Sequence, residues 1–500
     1  MHPGVHVRWL LSVGVSALAS SLHAPVAHSA HQWADAAALL QTRAEPSITA
    51  LLAAEEARRG SGRIRGDPTP QTMINFGDAQ YISYLRIGKQ ILAGMLDTGS
   101  FELVVFGADC RTCGVAAHYN PSLSSTFRSG RLASQQAFGS GSCYSTASAD
   151  VLQIGSFSEA RQSFWTVQQA NMPTLTDAAF EALIGLGPPE APSSDAWKAV
   201  SAVISNITSF YDLAEKAPGW LMTQVDKRLE IADEMSVKTT LLNNLDVSDF
   251  SVCFGATARS NGIIVWNDAA FMSQPDIFTR VMVSGRHTWS TNLTNPILLP
   301  GNSSGPRSAN ESVGLGCIGD TGCAAILDTG MSLIAAPRPV IDALRQAMLQ
   351  LEPDCSNMDV LPDLVFELGG MTFSLPPEAY VAAVEGTIPD HLAKLIEFNS
   401  SSTCQLLLIE SFAVSDSGPL WILGMPFFRK YYTTFHLGAT REERSFYIAE
   451  AGQDCSAAGP GEAAQETESN RRSLLRRVDL QKVHLPQTAR IAMREQFARL

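Results

Sequence analysis

The chain has 500 residues, of which 45% are hydrophobic and 17% charged, and its mean hydropathy is +0.04. That is apolar enough for packed cores and excludes a mostly disordered chain, a coiled coil and a collagen-like fibre. The net charge of −13 excludes a typical nucleic-acid binder, because phosphate binding needs clustered cations.

Residues 1–30 read as a secretory signal: Arg8 precedes an apolar run from Trp9 to Leu22, and small residues follow. The run is too short for a membrane span, and no later segment has the length of one. Residues 31–73 read as a pro-segment, with an Ala/Leu/Glu/Arg-rich helical patch from Trp33 to Arg59 and a loop at Gly60-Ser61-Gly62. Arg58, Arg59, Arg63 and Arg65 suit ion pairs over an acidic cleft that weaken on acidification; a solvated linker is the competing reading.

From Ile74 the texture is that of short strands between turns. The expected strands are Tyr81–Gly88, Ile91–Leu96, Asp150–Ile154, Phe250–Gly255, Ile263–Trp266, Ala324–Leu327, Leu364–Leu368 and Gln405–Ile409. Helices are expected only at Trp197–Asn206, Pro339–Leu351 and Pro377–Val384, with residues 188–240 a mixed insertion. The chain is therefore mainly β.

One unit occurs twice. Ile91–Ser100 and Cys323–Ser332 each run a hydrophobic strand into Asp-Thr-Gly, at Asp97-Thr98-Gly99 and Asp328-Thr329-Gly330. Each is followed downstream by an apolar run ending in Gly: Ala182-Leu183-Ile184-Gly185 and Leu420-Trp421-Ile422-Leu423-Gly424. One Asp-Thr-Gly is an ordinary turn; two, each with its own partner, indicate two related halves. A carboxylate at a buried strand end needs hydrogen bonds, and Gly permits a tight turn that supplies them. If the halves face each other, Asp97 and Asp328 cannot both ionise and share one proton. One then activates water and the other polarises a carbonyl, which suits amide hydrolysis without a metal.

With these units the chain resembles the pepsin-like family of aspartic endopeptidases over Ile74–Glu450. Further matches are Tyr119–Phe127, Phe138-Gly139-Ser140-Gly141-Ser142, Leu361–Phe366, Pro376–Tyr380 and Trp421–Tyr432. The resemblance implies a bilobal mainly β fold, with a 74–248 lobe, a 249–452 lobe and the cleft between them. It implies Asp97 and Asp328 as catalytic residues, Thr98 and Thr329 as cross-braces, Gly99 and Gly330 against substrate backbone, and Ser100 on Asp97. Phe138, Gly139 and Ser140 would form the tip of a flap from Gln136 to Cys143 that closes over a bound polypeptide. No metal or cofactor is implied, and the pro-segment would be the intramolecular inhibitor.

Three positions depart from the family pattern. Phe138 stands where the flap usually has Tyr, and Val104 where that Tyr's Trp partner stands; losing both together strands no buried donor. Met331 stands where a Thr or Ser usually supports the second Asp, and the following Ser332 is expected to face elsewhere. These departures sustain an alternative reading as a peptide-binding relative without activity. The Phe flap and the close Cys110/Cys113 pair resemble protist members, of the apicomplexan plasmepsin-like type.

Five sequons, at Asn206, Asn292, Asn302, Asn310 and Asn399, agree with secretion, and the nine cysteines then read as disulfide formers. The resemblance suggests Cys110–Cys113, Cys317–Cys323 and Cys355–Cys404, leaving Cys143, Cys253 and Cys455 unassigned. Cys110-x-x-Cys113 as a redox or zinc motif lacks the surrounding context. Gly301–Gly305 matches a serine-hydrolase pattern and Gly314–Gly319 a dinucleotide pattern, but neither has the required strand-to-helix setting. The expected localisation is the secretory pathway: secreted, or in an acidic vesicle, vacuole or secretory organelle.

Residues 453–500 read as a basic, disordered extension. Residues 471–500 alone hold eight Arg or Lys against Asp479 and Glu495, so they carry +6 and residues 1–470 carry −19. Apolar residues interleave with the charges from Leu474 to Leu500, a texture resembling an aspartic-protease pro-segment. The competing expectations are a second inhibitory or sorting segment, and a chain that is one unit of a tandem arrangement or a truncated gene product.

Overall fold

Leu85 and Ile87 are buried and Tyr84 and Arg86 half-buried along the strand Gln80–Ile87, the period-two pattern of a sheet with one face in the core. A computed structural model describes residues 67–157, 159–189, 223, 239–300, 313–317, 322–396, 403–459 and 475–493. The signal and pro-segment expectations before residue 67, the expected helix Trp197–Asn206 and most of the 188–240 insertion lie outside the described residues. The first lobe begins before the expected Ile74: its first strand is Thr69–Phe76.

The chain is mainly β. One large sheet starts at Thr279–Met282 and passes through Ser445–Ala451, Tyr431–His436, Asp249–Cys253 and Gly262–Trp266 to Thr69–Phe76. It continues through Gln80–Ile87 and Gln90–Asp97 into the first half, ending on the hairpin Arg128–Phe138/Gly141–Ile154. A second sheet carries the other half, in the order Met371–Leu375, Asp363–Leu368, Ser290–Leu299, Cys323–Leu327, Gly418–Leu423, Ile334–Ala336 and Leu408–Glu410.

The repeated sequence units are repeated in space. Gln90–Asp97 lies parallel to Ala182–Gly185, with Leu96 opposite Ile184 and Asp97 opposite Gly185; Leu103–Phe106 flanks it antiparallel. Cys323–Leu327 lies parallel to Gly418–Leu423, with Leu327 opposite Leu423, and Ile334–Ala336 flanks that strand antiparallel. All four residues of Ala182–Gly185 are buried, as parallel strands with both faces covered require. The closing glycines have a steric cause. A Cβ on Gly185 would lie 2.4 Å from the carbonyl carbon of Phe101, and one on Gly424 would lie 2.0 Å from the Leu333 oxygen.

Local readings differ from the sequence in three places. The expected helix Pro377–Val384 is one turn, Pro377–Tyr380, because Val381–Glu385 leaves it to pair with Cys404–Leu406. Gln405–Ile409 is two strands, broken at Leu407. Residues 475–493 are not a loose extension. They form the strand Arg477–Asp479, a 3-10 turn Leu480–Lys482 and the helix Gln487–Ala492. The interleaved apolar residues explain this: Val478, Leu480, Val483, Leu485, Ala489, Ala492 and Met493 are buried in one cluster with Met331, Leu333, Ala335 and Ile422 of the second half.

Four disulfides occur among the described residues: Cys110–Cys113, Cys317–Cys323, Cys355–Cys404 and Cys253–Cys455. Cys143 is a buried free thiol.

Candidate active site

Each Asp-Thr-Gly begins where its buried strand runs out, so the chain turns and the peptide groups behind the aspartate point back at it. The Gly99 N–H donates to Asp97 Oδ1 at 2.8 Å, and the Gly330 N–H to Asp328 Oδ1 at 2.9 Å. The Ser100 hydroxyl adds a bond to Asp97 Oδ2 at 2.7 Å. Asp97 and Asp328 are both fully buried.

The threonines between them cross-link the halves. The Thr98 hydroxyl donates to the Leu327 carbonyl at 2.9 Å and accepts from the Thr329 N–H at 3.0 Å. The Thr329 hydroxyl donates to the Leu96 carbonyl at 2.8 Å and accepts from the Thr98 N–H at 3.1 Å. Both threonines are buried. The reciprocity fixes the two turns face to face. Only glycine fits beside them: a Cβ on Gly99 would lie 2.0 Å from Asp328 Oδ2, and one on Gly330 2.6 Å from Asp97 Oδ1.

This packing sets the electrostatics. Burial raises the Asp97 carboxyl above its ordinary value despite the Ser100 hydrogen bond. Burial, and then the Asp97 charge, push Asp328 well above its ordinary value. The pair titrates as a unit and shares a proton. A carboxylate and a carboxylic acid side by side can take a proton from water and donate a hydrogen bond to a carbonyl in the same step.

The expected flap residues lie on the hairpin Arg128–Phe138/Gly141–Ile154, with Gly139 and Ser140 at its tip. Phe138 and Val104 are both buried in the core, so the apolar pair fills space without stranding a polar group. Met331 is fully buried in the apolar cluster and gives Asp328 no hydroxyl. Ser332 faces away from the pair, donating to the Ala79 carbonyl at 2.7 Å.

The sequence reading offered the tail as a second inhibitory segment but did not pick out Thr488. The hydroxyl of Thr488, from the C-terminal segment, donates to Asp328 Oδ2. The same segment meets both sides of the cleft. The Gly139 and Ser140 N–H groups donate to the Pro486 and Leu485 carbonyls at 2.9 and 3.0 Å, and the Ser332 N–H donates to the His484 carbonyl at 3.2 Å. The His484 ring packs against Phe138 and Phe180. The available signal was the interleaving of apolar residues with the basic tail.

Of the sequon asparagines, Asn292 lies half-buried in the strand Ser290–Leu299; Asn206, Asn302, Asn310 and Asn399 lie outside the described residues. No helix among the described residues is long and apolar enough to cross a membrane.

The model of the eukaryotic aspartyl protease family matches residues 80–222 and 250–443, more than half of the chain. Pepsin A of Bos taurus is 26% identical over 393 residues, spanning 76% of this chain and 88% of that protein. Gastricsin of Homo sapiens is 26% identical over 378 residues, 73% of this chain and 80% of that protein. Pepsin A of Sus scrofa is 27% identical over 378 residues, with the same shares.

Proposed function

The chain belongs to the eukaryotic aspartyl protease family and is a pepsin-like aspartic endopeptidase acting on polypeptides; from that premise we propose that Asp97 and Asp328 are its catalytic pair. Asp97, ionised, takes a proton from the attacking water, while Asp328, protonated, hydrogen-bonds the scissile carbonyl. Proton return to the amine then splits the tetrahedral intermediate. Thr98 and Thr329 hold the two turns in register, Gly99 and Gly330 leave room for peptide, and Gly139 and Ser140 offer backbone donors to it. The observation that carries this reading is the apposition of the two turns: each carboxyl lies against the glycine of the opposite turn and is held by the glycine N–H of its own.

The enzyme is made as a secretory-pathway zymogen, with residues 1–30 as signal and a pro-segment that follows them and ends before the strand Thr69–Phe76, and it works in an acidic secreted or vesicular setting. Four disulfides support this route, because such bonds persist in oxidising compartments. Burial disfavours the Asp78 charge, but Arg429 and Arg476 outweigh it and hold the carboxyl below its ordinary value, which suits that setting.

The test is cleavage of an unfolded protein across about pH 3–7 by chains lacking residues 460–500, so that Thr488 does not cover Asp328. Asp97→Asn and Asp328→Asn each lose about 10³-fold or more in rate. A variant that keeps the parent rate removes its aspartate from the proposed pair.

A further inference from the structure

We propose that residues 475–493 are a tethered pseudo-substrate that occupies the peptide track of this enzyme and holds it inactive, an inference that rests on the endopeptidase reading above. The segment is seated by its backbone on both walls of the cleft. The His484 N–H donates to the Ser332 hydroxyl at 2.8 Å, and its carbonyl accepts from the Ser332 N–H at 3.2 Å. The Leu485 N–H donates to the Ser140 hydroxyl at 2.8 Å, and its carbonyl accepts from the Ser140 N–H at 3.0 Å. Two consecutive residues thus satisfy both main-chain groups, one on the second Asp-Thr-Gly segment and the next on the flap. Recognition through the main chain of an extended guest is how a strand-like peptide site works, and it takes any sequence whose side chains fit. The tail and a polypeptide substrate therefore exclude one another.

The seat also explains why the tail would survive there. The extended stretch stops at Pro486, which has no N–H to offer. Its carbonyl is held by the Gly139 N–H at 2.9 Å and by the Arg490 N–H of the following helix at 3.3 Å. Gln487–Ala492 is helical, so the next peptide groups curl away from the extended path. The contact made on Asp328 is the Thr488 hydroxyl, not a peptide carbonyl. A guest that turns helical beside the pair presents no bond in the geometry attack requires.

The anchor lies upstream. Arg476 is buried and donates to the Gly255 and Ala256 carbonyls, both at 2.8 Å, and to Asp78 at 3.3 Å. Arg477–Asp479 extends the strand Val381–Glu385 in parallel. Lys482 donates to Asp177 Oδ2 at 2.8 Å, and its carbonyl accepts from Gln80 at 2.8 Å. The tail's apolar residues cover Met331, Leu333 and Ala335. Met331, the residue that departs from the family's hydroxyl at this position, thus packs in the tail's own cluster.

The test compares the full chain with a form ending at Gly459, both with the same N-terminus. Initial rates are read on an unfolded protein, and binding of a synthetic 475–493 peptide is read by fluorescence anisotropy. The truncated form is at least ~10-fold faster, and the added peptide raises its KM without changing kcat. A folded truncated form no faster than the full chain, or one with lower kcat, overturns the proposal; in the latter case Thr488 is a support for Asp328. If truncation prevents folding, full-length Leu485→Pro, which removes the donor to Ser140 and keeps the Arg476 anchor, serves instead and must show the same rise. If neither form cleaves while the peptide still binds the truncated one, the seat stands and the endopeptidase reading fails.

Discussion

Thr488 and Ser100 do the same thing to opposite aspartates: each donates a hydroxyl hydrogen bond to Oδ2 of its carboxylate, Thr488 to Asp328 and Ser100 to Asp97. Ser100 stands three residues after its aspartate. The residue three after Asp328 is Met331, so the second half has no hydroxyl of its own there, and the tail supplies one across the cleft.

Met331→Ser restores a local donor. A hydroxyl donating to a carboxylate favours the charged form and lowers its pKa. In the chain ending at Gly459, the alkaline limb of kcat/KM against pH, which reports protonated Asp328, therefore moves to lower pH in this variant. The buried side chain it removes costs about 2–5 kcal/mol in stability, so the profile is taken well below the melting temperature. An unmoved limb means the serine hydroxyl points elsewhere.

The threonine brace predicts a sharp contrast between Ala and Ser. Thr98→Ala leaves the Leu327 carbonyl and the Thr329 N–H without their partner in a buried place, at about 1–3 kcal/mol for each group. Thr98→Ser keeps the hydroxyl and loses under about 1 kcal/mol. Urea unfolding of the two variants reads the difference directly; equal losses would assign the effect to the methyl group.

Gly99→Ala tests the closeness of the halves. Its new Cβ would lie 2.0 Å from Asp328 Oδ2, so one turn must move. The expected result is a fall in kcat of about 10²-fold or more in a chain that still folds. A rise in KM with kcat unchanged would place the glycine's role in substrate backbone contact alone.

The pair also leaves a mark on stability. Both carboxyls are raised in the folded state, so the fold binds more protons than the unfolded chain as pH rises above the ordinary carboxylate value. Their contribution is fully present below that value and is lost as pH rises through the folded-state values. Asp328→Asn removes the part due to Asp328. Its melting temperature exceeds that of the parent at neutral pH, and the gap closes on acidification. A gap that widens in acid contradicts the assigned direction.

Arg476→Ala in the isolated 475–493 peptide tests the anchor. Burial opposes the Asp78 charge, and Arg429 and Arg476 outweigh it and hold the carboxyl below its ordinary value. Removing one partner of a buried pair costs about 3–5 kcal/mol, so the altered peptide binds the truncated chain at least ~10²-fold more weakly. Equal affinity would move the binding energy to the apolar residues.

The sequence displayed the pair outright but offered the inhibitory tail only as one reading among several, for a physical reason. Asp97, Asp328 and their glycine-ended partner strands are local patterns, and each repeats, so they can be read without knowing the fold. Cys253 and Cys455 are 202 residues apart, and only the sheet that carries both strand ends brings them together. Val381–Glu385 follows a helical turn and becomes a strand because Cys404–Leu406 and Arg477–Asp479 lie on either side of it. The tail's apolar residues match neither a helical nor a strand period over their length. They fit a groove whose shape comes from Met331, Leu333 and Ala335, and no periodicity encodes that.

The Cys253–Cys455 bond has a consequence for the tail. It fastens the chain to the sheet at Cys455, 20 residues before Leu475, so the tail is a ligand on a leash of fixed root. A ligand on a short leash meets its site at an effective concentration of about millimolar, whatever the concentration of the protein itself. Polypeptide at micromolar levels competes poorly against that. One cut in the leash turns the tail from a tethered ligand into a dilute one, and the same bound contacts then no longer suffice to keep it in place.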